Sequence, residues 1–167
     1  MTKVIVAGGN AAGLSAASQI KRQRPNWDVT VYEKGAYISY GACGIPYYIQ
    51  GLVPKLDNLI TLSPEEAVKK RNLNLEMETM VTSLDPHNNE VTILNKNNKE
   101  KKDTFDKLVI ATGARPITGG LEYEEFGRIF TVNSMEDAKR LRLFLEQEDP
   151  SSGAIIGGGY IALEMLE

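Results

Sequence analysis

The chain has 167 residues, with 19 basic and 22 acidic side chains, a formal net charge of −3 and one cysteine. This length fits one ordinary domain with part of a second, the charge gives no basic surface for nucleic acid, and no apolar run approaches the ~18 residues that a membrane span needs. The single cysteine excludes a disulfide framework, so a reducing, cytoplasmic location is the expectation.

Residues 3–34 have the pattern of a strand, a helix and a second strand. Lys3–Gly9 (KVIVAGG) is a β-branched run that ends in glycine, as expected of a buried parallel strand. The alanine-rich segment that follows, up to Pro25, predicts a helix, and Trp27–Lys34 (WDVTVYEK) predicts a second strand. Together they form a βαβ unit of the expected size.

The turn between the first strand and the helix, GGNAAG, is close to a dinucleotide-binding fingerprint. Gly8 and Gly13 occupy its first and third positions, and Asn10 stands in the second. Glu33 ends the second strand, where an acid can accept hydrogen bonds from an adenosine ribose. The helix N-terminus after such a turn faces the phosphates of the nucleotide.

The segment Ser39–Gly51 (SYGACGIPYYIQG) contains the cysteine of the chain, Cys43, between two glycines. We expect a helix to begin at Cys43 and to stabilise a thiolate there by its N-terminal dipole. Gly41 and Gly44 allow close approach of the backbone to a ligand.

The middle of the chain predicts a short helix followed by strands. Ser63, Pro64 and Glu66 have the spacing of a capped helix start, and the alternating pattern after this helix predicts a small antiparallel insertion near residues 78–106. The strand KLVIATG follows the insertion. The polar segment NKNNKEKKD of the insertion is interpreted as a solvated hairpin tip.

The C-terminal part repeats the first pattern. An amphipathic helix capped by Ser134 precedes a predicted strand, SGAII, and a second glycine turn. Gly157, Gly159 and Ala162 occupy the three positions of that second fingerprint. Two dinucleotide fingerprints in one chain indicate two nucleotides, for which a flavin and a nicotinamide are the natural pair.

Four of these stretches together resemble the pyridine nucleotide–disulfide oxidoreductases, flavoproteins with two dinucleotide-binding domains: VIVAGGNAAG with VYEK, the cysteine segment, FDKLVIATGARP, and IIGGGYIALEMLE. The resemblance implies an α/β fold: a Rossmann-like FAD-binding domain over residues 1–115, and the start of a Rossmann-like NAD(P)H-binding domain over 116–167. It also implies that the chain corresponds to the N-terminal third of a family member.

The lone cysteine selects a branch of that family. A chain with one cysteine cannot form the intramolecular redox disulfide of glutathione-type reductases, and SYGACGIPYY is similar to coenzyme A-disulfide reductases, persulfide reductases, NADH oxidases and NADH peroxidases. Oxidases and peroxidases of the branch commonly carry histidine where this chain has Ala11, and the one histidine, His87, falls in a predicted hairpin turn. Disulfide reduction is therefore favoured. Directly before the cysteine this chain has Ala42, where coenzyme A-disulfide reductases often carry asparagine.

The resemblance also implies site residues, with Cys43 as the catalytic one. The implied coenzyme A contacts are Ser15, Gln19, Arg22, Ser39 and Arg71. The implied cofactor contacts are Gly8, Asn10, Ala11, Ala12, Gly13, Glu33, Lys34, Val81, Ala111, Thr112 and Gly113 for FAD, and Gly157, Gly159, Tyr160, Ile161 and Glu164 for NAD(P)H.

The implied activity is reduction of coenzyme A disulfide, or of a related persulfide or small disulfide, with electrons from NADH or NADPH through FAD to Cys43. The resemblance also implies that full-length members are homodimers, and neither nucleic acid nor membrane is an expected partner. One alternative is an NADH oxidase or peroxidase working through a cysteine sulfenic acid. Another, of a different class, is a catalytically incomplete flavin-binding fragment.

Overall fold

The computed structural model describes residues 1–119 and 128–166, which fall into two compact units. The first unit comprises residues 1–40 and 60–113, and the second comprises 41–59 and 114–167. Within the described ranges, no helix is both long enough and apolar enough to cross a membrane.

A parallel sheet forms the centre of the first unit. Its strands are β1 (Lys3–Ala7), β2 (Asp28–Tyr32), β3 (Asn74–Glu76) and β7 (Lys107–Ile110), in the order β3-β2-β1-β7. β1 lies inside the sheet, where its run of β-branched residues is buried on both faces. This sheet confirms the predicted α/β class.

Two helices pack on the sheet of the first unit. α1 (Ala11–Gln23) buries Gly13, Leu14 and Ala17, and the small size of Gly13 and Ala17 permits close packing against the sheet. α3 (Pro64–Arg71) begins with the predicted capping box between Ser63 and Glu66. The helices and strands share one core cluster, whose buried members are Val4, Val6, Leu14, Ala17, Val29, Val31, Ile38, Ala67 and Leu73.

The antiparallel insertion forms the second sheet of this unit. Its strands are β4 (Thr79–Asp85), β5 (Glu90–Asn95) and β6 (Glu100–Thr104), as predicted, and the register shifts between Val81 and Ser83.

A polar tie joins the insertion to the parallel sheet. Asp103 on β6 accepts a hydrogen bond from the Tyr32 hydroxyl at 2.7 Å and pairs with the Lys3 ammonium. Burial, followed by the bond to Asp103, raises the pKa of Tyr32 above its ordinary value. The neutral phenol therefore stays a hydrogen-bond donor in the folded protein.

The described part of the second unit contains helices and irregular segments. Its α-helices are α2 (Ile45–Ile49), α4 (Met135–Glu148) and α5 (Tyr160–Glu164). Ser134 caps α4 as predicted, with Asp137 completing the box. The prediction of a strand at SGAII is wrong, since residues 152–156 have no regular secondary structure. A parallel strand needs a neighbour to pair with, and the described part of this unit contains no other strand.

The predicted domain boundary at residue 115 stays a prediction. In the structure the chain passes from the first unit to the second at Gly113, but residues 41–59 also belong to the second unit. They do so because α2, which follows Cys43, packs on α4.

Candidate active site

The first glycine turn is closed by two contacts that exclude side chains. Gly8 has φ +108°, and a Cβ there would lie 2.1 Å from Ala111 O. A Cβ on Gly13 would lie 1.8 Å from Gly8 O. The turn thus packs against the residue that follows β7 and against the first turn of α1. Only glycine fits at positions 8 and 13, because any Cβ there would clash.

Glu33 binds two backbone amides, one in this turn and one just after β2. Its carboxylate accepts hydrogen bonds from Gly9 N at 2.6 Å and from Gly35 N at 2.7 Å. A carboxylate retains further lone pairs after two bonds, so its predicted contact with a ribose stays a prediction. Gly9 was missed in the sequence, although a Cβ there would press on Ile38 and Glu33. The glycine doublet was the available signal.

The N-terminus of α1 has no side-chain cap, in contrast to α3 and α4. Asn10 occupies the cap position, but its Oδ1 accepts a hydrogen bond from Tyr40 N at 3.1 Å instead. The first amides of α1, from Ala11 to Gly13, are therefore left without a side-chain acceptor in the described residues. Such amides, at the positive end of a helix, are suited to a pyrophosphate.

A cavity of about 610 Å³ runs beside α1 in the first unit, and we call it the α1 cavity. It brings together all five predicted coenzyme A contacts: Ser15, Gln19, Arg22, Ser39 and Arg71. Its other lining residues are Asn10, Ala11, Leu14, Ser18, Tyr40, Thr61 and Leu62. Of these, Thr61 contacts Ser39 through two hydrogen bonds and had no signal in the sequence.

A second cavity of about 420 Å³, which we call the basic notch, shares Ser18, Arg22 and Arg71 with the α1 cavity. Lys21 and Lys70 also line it, and none of its lining residues in the described chain is acidic. The guanidinium groups of Arg22 and Arg71 make no hydrogen bond or ion pair with the described residues. Two unpaired cations that border both cavities favour an anionic ligand.

Cys43 lies in the second unit, in a 3₁₀ turn over Ala42–Gly44, and its thiol is free and exposed. The predicted helix start at Cys43 is wrong, because α2 begins at Ile45, where Pro46 fits the first helical turn. α2 has five residues, so its summed dipole is small. The structure therefore gives no support to thiolate stabilisation by a helix terminus.

Arg142 on α4 holds the chain that follows α2. Its Nη1 faces the carbonyl oxygens of Tyr48 at 2.9 Å, Val53 at 3.1 Å and Pro54 at 3.5 Å. The guanidinium stacks over the Tyr48 ring at 4.6 Å and pairs with Glu146 through Nε at 2.8 Å. Side-chain contacts thus take the place of strand pairing in ordering this segment.

The remaining predicted FAD contacts lie at different places in the first unit. Ala111, Thr112 and Gly113 follow β7, and Ala111 N donates to Ala7 O at 2.8 Å, which continues the sheet beside the glycine turn. Lys34 is exposed after Glu33. Val81 is half-buried and packs against the core cluster that contains Tyr32. Contact of each with FAD stays a prediction.

The second glycine turn has the expected backbone conformation, but no other described segment packs closely against its glycines. Gly157 has φ +124°, yet a Cβ on it or on Gly159 would meet no atom within 4 Å among the described residues, chain neighbours aside. Tyr160 and Ile161, at the start of α5, are exposed, and Glu164 contributes a carbonyl to the Gln50 side chain. Contact of these residues with NAD(P)H therefore stays a prediction.

Comparison with known proteins identifies the class. Residues 2–166 match the family described as pyridine nucleotide-disulphide oxidoreductase, and the chain belongs to this family. It is 39% identical over 165 residues to the NAD(P)H coenzyme A polysulfide/persulfide reductase of Pyrococcus horikoshii, covering 99% of this chain and 36% of that protein.

Two further relatives widen the comparison. The chain is 33% identical to an NADH oxidase of Methanocaldococcus jannaschii, covering 98% of this chain and 36% of that protein. The structure of reduced Bacillus anthracis CoADR-RHD superimposes with a TM-score of 0.95 at 31% identity, over 99% of this chain and 30% of that one. The chain thus spans about a third of the length of the relatives it matches.

Proposed function

We propose that the protein is an FAD-dependent NAD(P)H:disulfide oxidoreductase that reduces coenzyme A disulfide or a related persulfide. The observation that carries the proposal is the α1 cavity, where all five predicted coenzyme A contacts lie together. The names of the Pyrococcus and Bacillus relatives point to the same substrate class.

The charge distribution around the two cavities supports a ligand with a polyanionic end. Among the described residues, Arg22 and Arg71 border both cavities without a hydrogen-bond or ion-pair partner. Lys21 also lines the basic notch, as does Lys70, which pairs with Glu66. Coenzyme A carries its phosphates at one end and its thiol at the other. We place the phosphates at the arginines, because unpaired guanidinium groups bind phosphate in bidentate fashion.

The residues of the first glycine turn fit FAD. Gly8 and Gly13 close the turn, and the uncapped amides of Ala11 and Ala12 at the start of α1 would donate hydrogen bonds to its pyrophosphate. Glu33 would face the adenosine ribose. When bound, FAD supplies the two electrons, taken from NAD(P)H, that regenerate the thiolate of Cys43 and release the second thiol.

Cys43 carries out the exchange with the disulfide. Its thiolate attacks one sulfur of the substrate, which forms a mixed disulfide, breaks the substrate S–S bond and releases one thiolate that takes up a proton. Exposure of Cys43 permits this attack from solution. The product bound to Cys43 is then a mixed disulfide that mass spectrometry can detect.

A second candidate function is that of an NADH oxidase, which the Methanocaldococcus relative favours. Against it stand Ala11 at the start of α1, and His87, which is exposed in the turn between β4 and β5. Neither position supplies an imidazole beside the glycine turn. Disulfide reduction is therefore the preferred function.

We further propose, from the family resemblance, that the full-length protein is a homodimer and that it lies in the cytoplasm. A catalytic thiol needs a reducing compartment to stay available, which the cytoplasm provides. Sedimentation of the purified protein tests the dimer, and cell fractionation tests the location.

The experiment compares oxidants at fixed NAD(P)H. Coenzyme A disulfide should accelerate NAD(P)H consumption, and Cys43→Ser should lower that rate about a thousandfold or more, since the nucleophile is lost. Intact-mass measurement should reveal a coenzyme A adduct that reductant removes and that Cys43→Ser lacks. Rapid NAD(P)H consumption with oxygen as the sole oxidant, together with a mass increase of one oxygen atom on Cys43, would instead favour the NADH oxidase.

A further inference from the structure

Thr61 and Ser39 form a closed set of hydrogen bonds in the wall of the α1 cavity. Thr61 Oγ1 donates to Ser39 O at 2.5 Å, Thr61 N donates to the same oxygen at 2.8 Å, and the two hydroxyl oxygens lie 2.8 Å apart. Ser39 has φ +47°, a left-handed conformation that is uncommon for serine. The bonds from Thr61 therefore hold Ser39 in a conformation that the residue rarely adopts by itself.

The number of hydroxyl protons fixes the polarity of this set. A threonine hydroxyl has one proton, and that of Thr61 is given to Ser39 O. In the contact between the two hydroxyls, Ser39 Oγ must consequently be the donor. Ser39 Oγ then has only acceptor lone pairs left for a ligand in the α1 cavity. It suits an N–H or O–H group and is unsuited to phosphate.

The two parts of the α1 cavity thus differ in polarity. Arg22 and Arg71, which have only donors to offer, border the basic notch, whereas Ser39 and Thr61 line the α1 cavity alone. A coenzyme A-type substrate has the matching order, with phosphates at one end and an arm of amide and hydroxyl groups leading to sulfur at the other. Ser39 also lies four residues before Cys43 in the chain.

We propose that Thr61 is a positioning residue that makes Ser39 Oγ an acceptor for an amide or hydroxyl group in the thiol-bearing arm of the substrate. This inference rests on the proposed function and adds to it a specificity for the arm, separate from that of the arginines for the phosphates. It predicts that the two ends of the substrate are recognised independently.

The test uses two substrates that share the arm. Coenzyme A disulfide carries both arm and phosphates, and pantetheine disulfide carries the arm alone. Thr61→Val removes the hydroxyl and keeps the shape, and should raise KM about fivefold for both disulfides with kcat within about twofold, as expected for one neutral hydrogen bond. Thr61→Ser retains the hydroxyl and should stay close to the unaltered protein.

Arg22→Gln provides the matched comparison at the other end. It should raise KM for coenzyme A disulfide and leave KM for pantetheine disulfide unchanged. Ser39→Ala removes the acceptor itself, so it should raise KM for both disulfides, and combined with Thr61→Val it should add little. Ser39→Ala also carries the test in case Thr61→Val fails to fold.

The outcomes separate the two proposals. If the unaltered protein reduces neither disulfide, the proposed function is wrong. If it reduces both, and Thr61→Val and Ser39→Ala leave KM for pantetheine disulfide unchanged, the role of Thr61 is wrong while the function stands. A parallel fall in kcat and in folded fraction for Thr61→Val, with KM unchanged, would likewise overturn the positioning role in favour of a structural one.

Discussion

The two glycine turns share a residue pattern but differ in what surrounds them. Gly8 and Gly157, the first glycines of each, both have positive φ, at +108° and +124°. A Cβ on Gly8 would collide with Ala111 O, whereas a Cβ on Gly157 would meet no atom of the described residues within 4 Å beyond its chain neighbours. The motif therefore sets the backbone of the turn, and the strands that pair on both sides of β1 supply the close packing around the first turn.

The largest expected effect comes from breaking the packed turn. Gly13→Ala would place a Cβ 1.8 Å from Gly8 O, which should lower the free energy of unfolding by about 3 kcal/mol and abolish FAD retention. Gly159→Ala, the matched change in the open turn, should alter it by less than about 0.5 kcal/mol. Urea unfolding followed by circular dichroism measures both, and equal losses would contradict the contrast.

Tyr32→Phe tests the tie between the two sheets of the first unit. Loss of the bond to Asp103 should cost about 2 kcal/mol at pH 7, because the acceptor is charged. The pKa of Tyr32 is raised by burial and by Asp103, so its contribution is fully present below about pH 10 and is lost as pH rises above that value.

The fluorescence of Trp27, the one tryptophan in the chain, reports urea unfolding of the first unit at pH 7 and pH 11. The difference in stability between the unaltered protein and Tyr32→Phe should shrink at the higher pH. A difference that stays constant would show that the phenol proton does not contribute.

Arg142→Ala tests whether side-chain hydrogen bonds order the segment that follows α2 in the second unit. Loss of its bonds to the Tyr48, Val53 and Pro54 carbonyls should cost about 1.4 kcal/mol locally, which corresponds to about tenfold faster amide exchange over residues 48–53. Lys139→Ala, exposed on the same helix, is the control. Unchanged exchange in Arg142→Ala would mean that α2 is held by its apolar contacts alone.

The smallest expected effect compares the two capped helices. Ser63 accepts from Glu66 N at 3.2 Å and Ser134 accepts from Asp137 N at 3.1 Å, so Ser63→Ala and Ser134→Ala should each destabilise their own helix by about 1 kcal/mol. Amide exchange in α3 and α4 measures this. A cost for Ser63→Ala only would show that α4 does not depend on its cap.

The features that were predicted correctly are the ones that local sequence determines. The caps of α3 and α4 follow from residues three apart, and β1 follows from an uninterrupted β-branched run. The strand at SGAII was wrong because strand formation depends on a neighbour. The helix start at Cys43 was two residues early because Pro46 favours a start at Ile45.

The candidate site likewise contains residues that could be predicted from the sequence and residues that could not. Resemblance predicted five residues that the α1 cavity brings together. It could not find Thr61, because its hydroxyl acts on Ser39 across 22 positions and through a backbone oxygen. Nor could it find that Asn10 accepts from Tyr40 N rather than capping α1, since that choice depends on where residues 39–40 return to the turn.

The chain leaves the first unit and re-enters it at adjacent points. Tyr40 and Ile60 pair as an antiparallel bridge, directly inside the contact between Ser39 and Thr61. The intervening segment, which contains Cys43, is consequently a loop whose two ends are fastened together on the first unit. We expect residues 41–59 to be exchangeable as one segment, because a homologous segment could be grafted between Tyr40 and Ile60 while the first glycine turn keeps its packing.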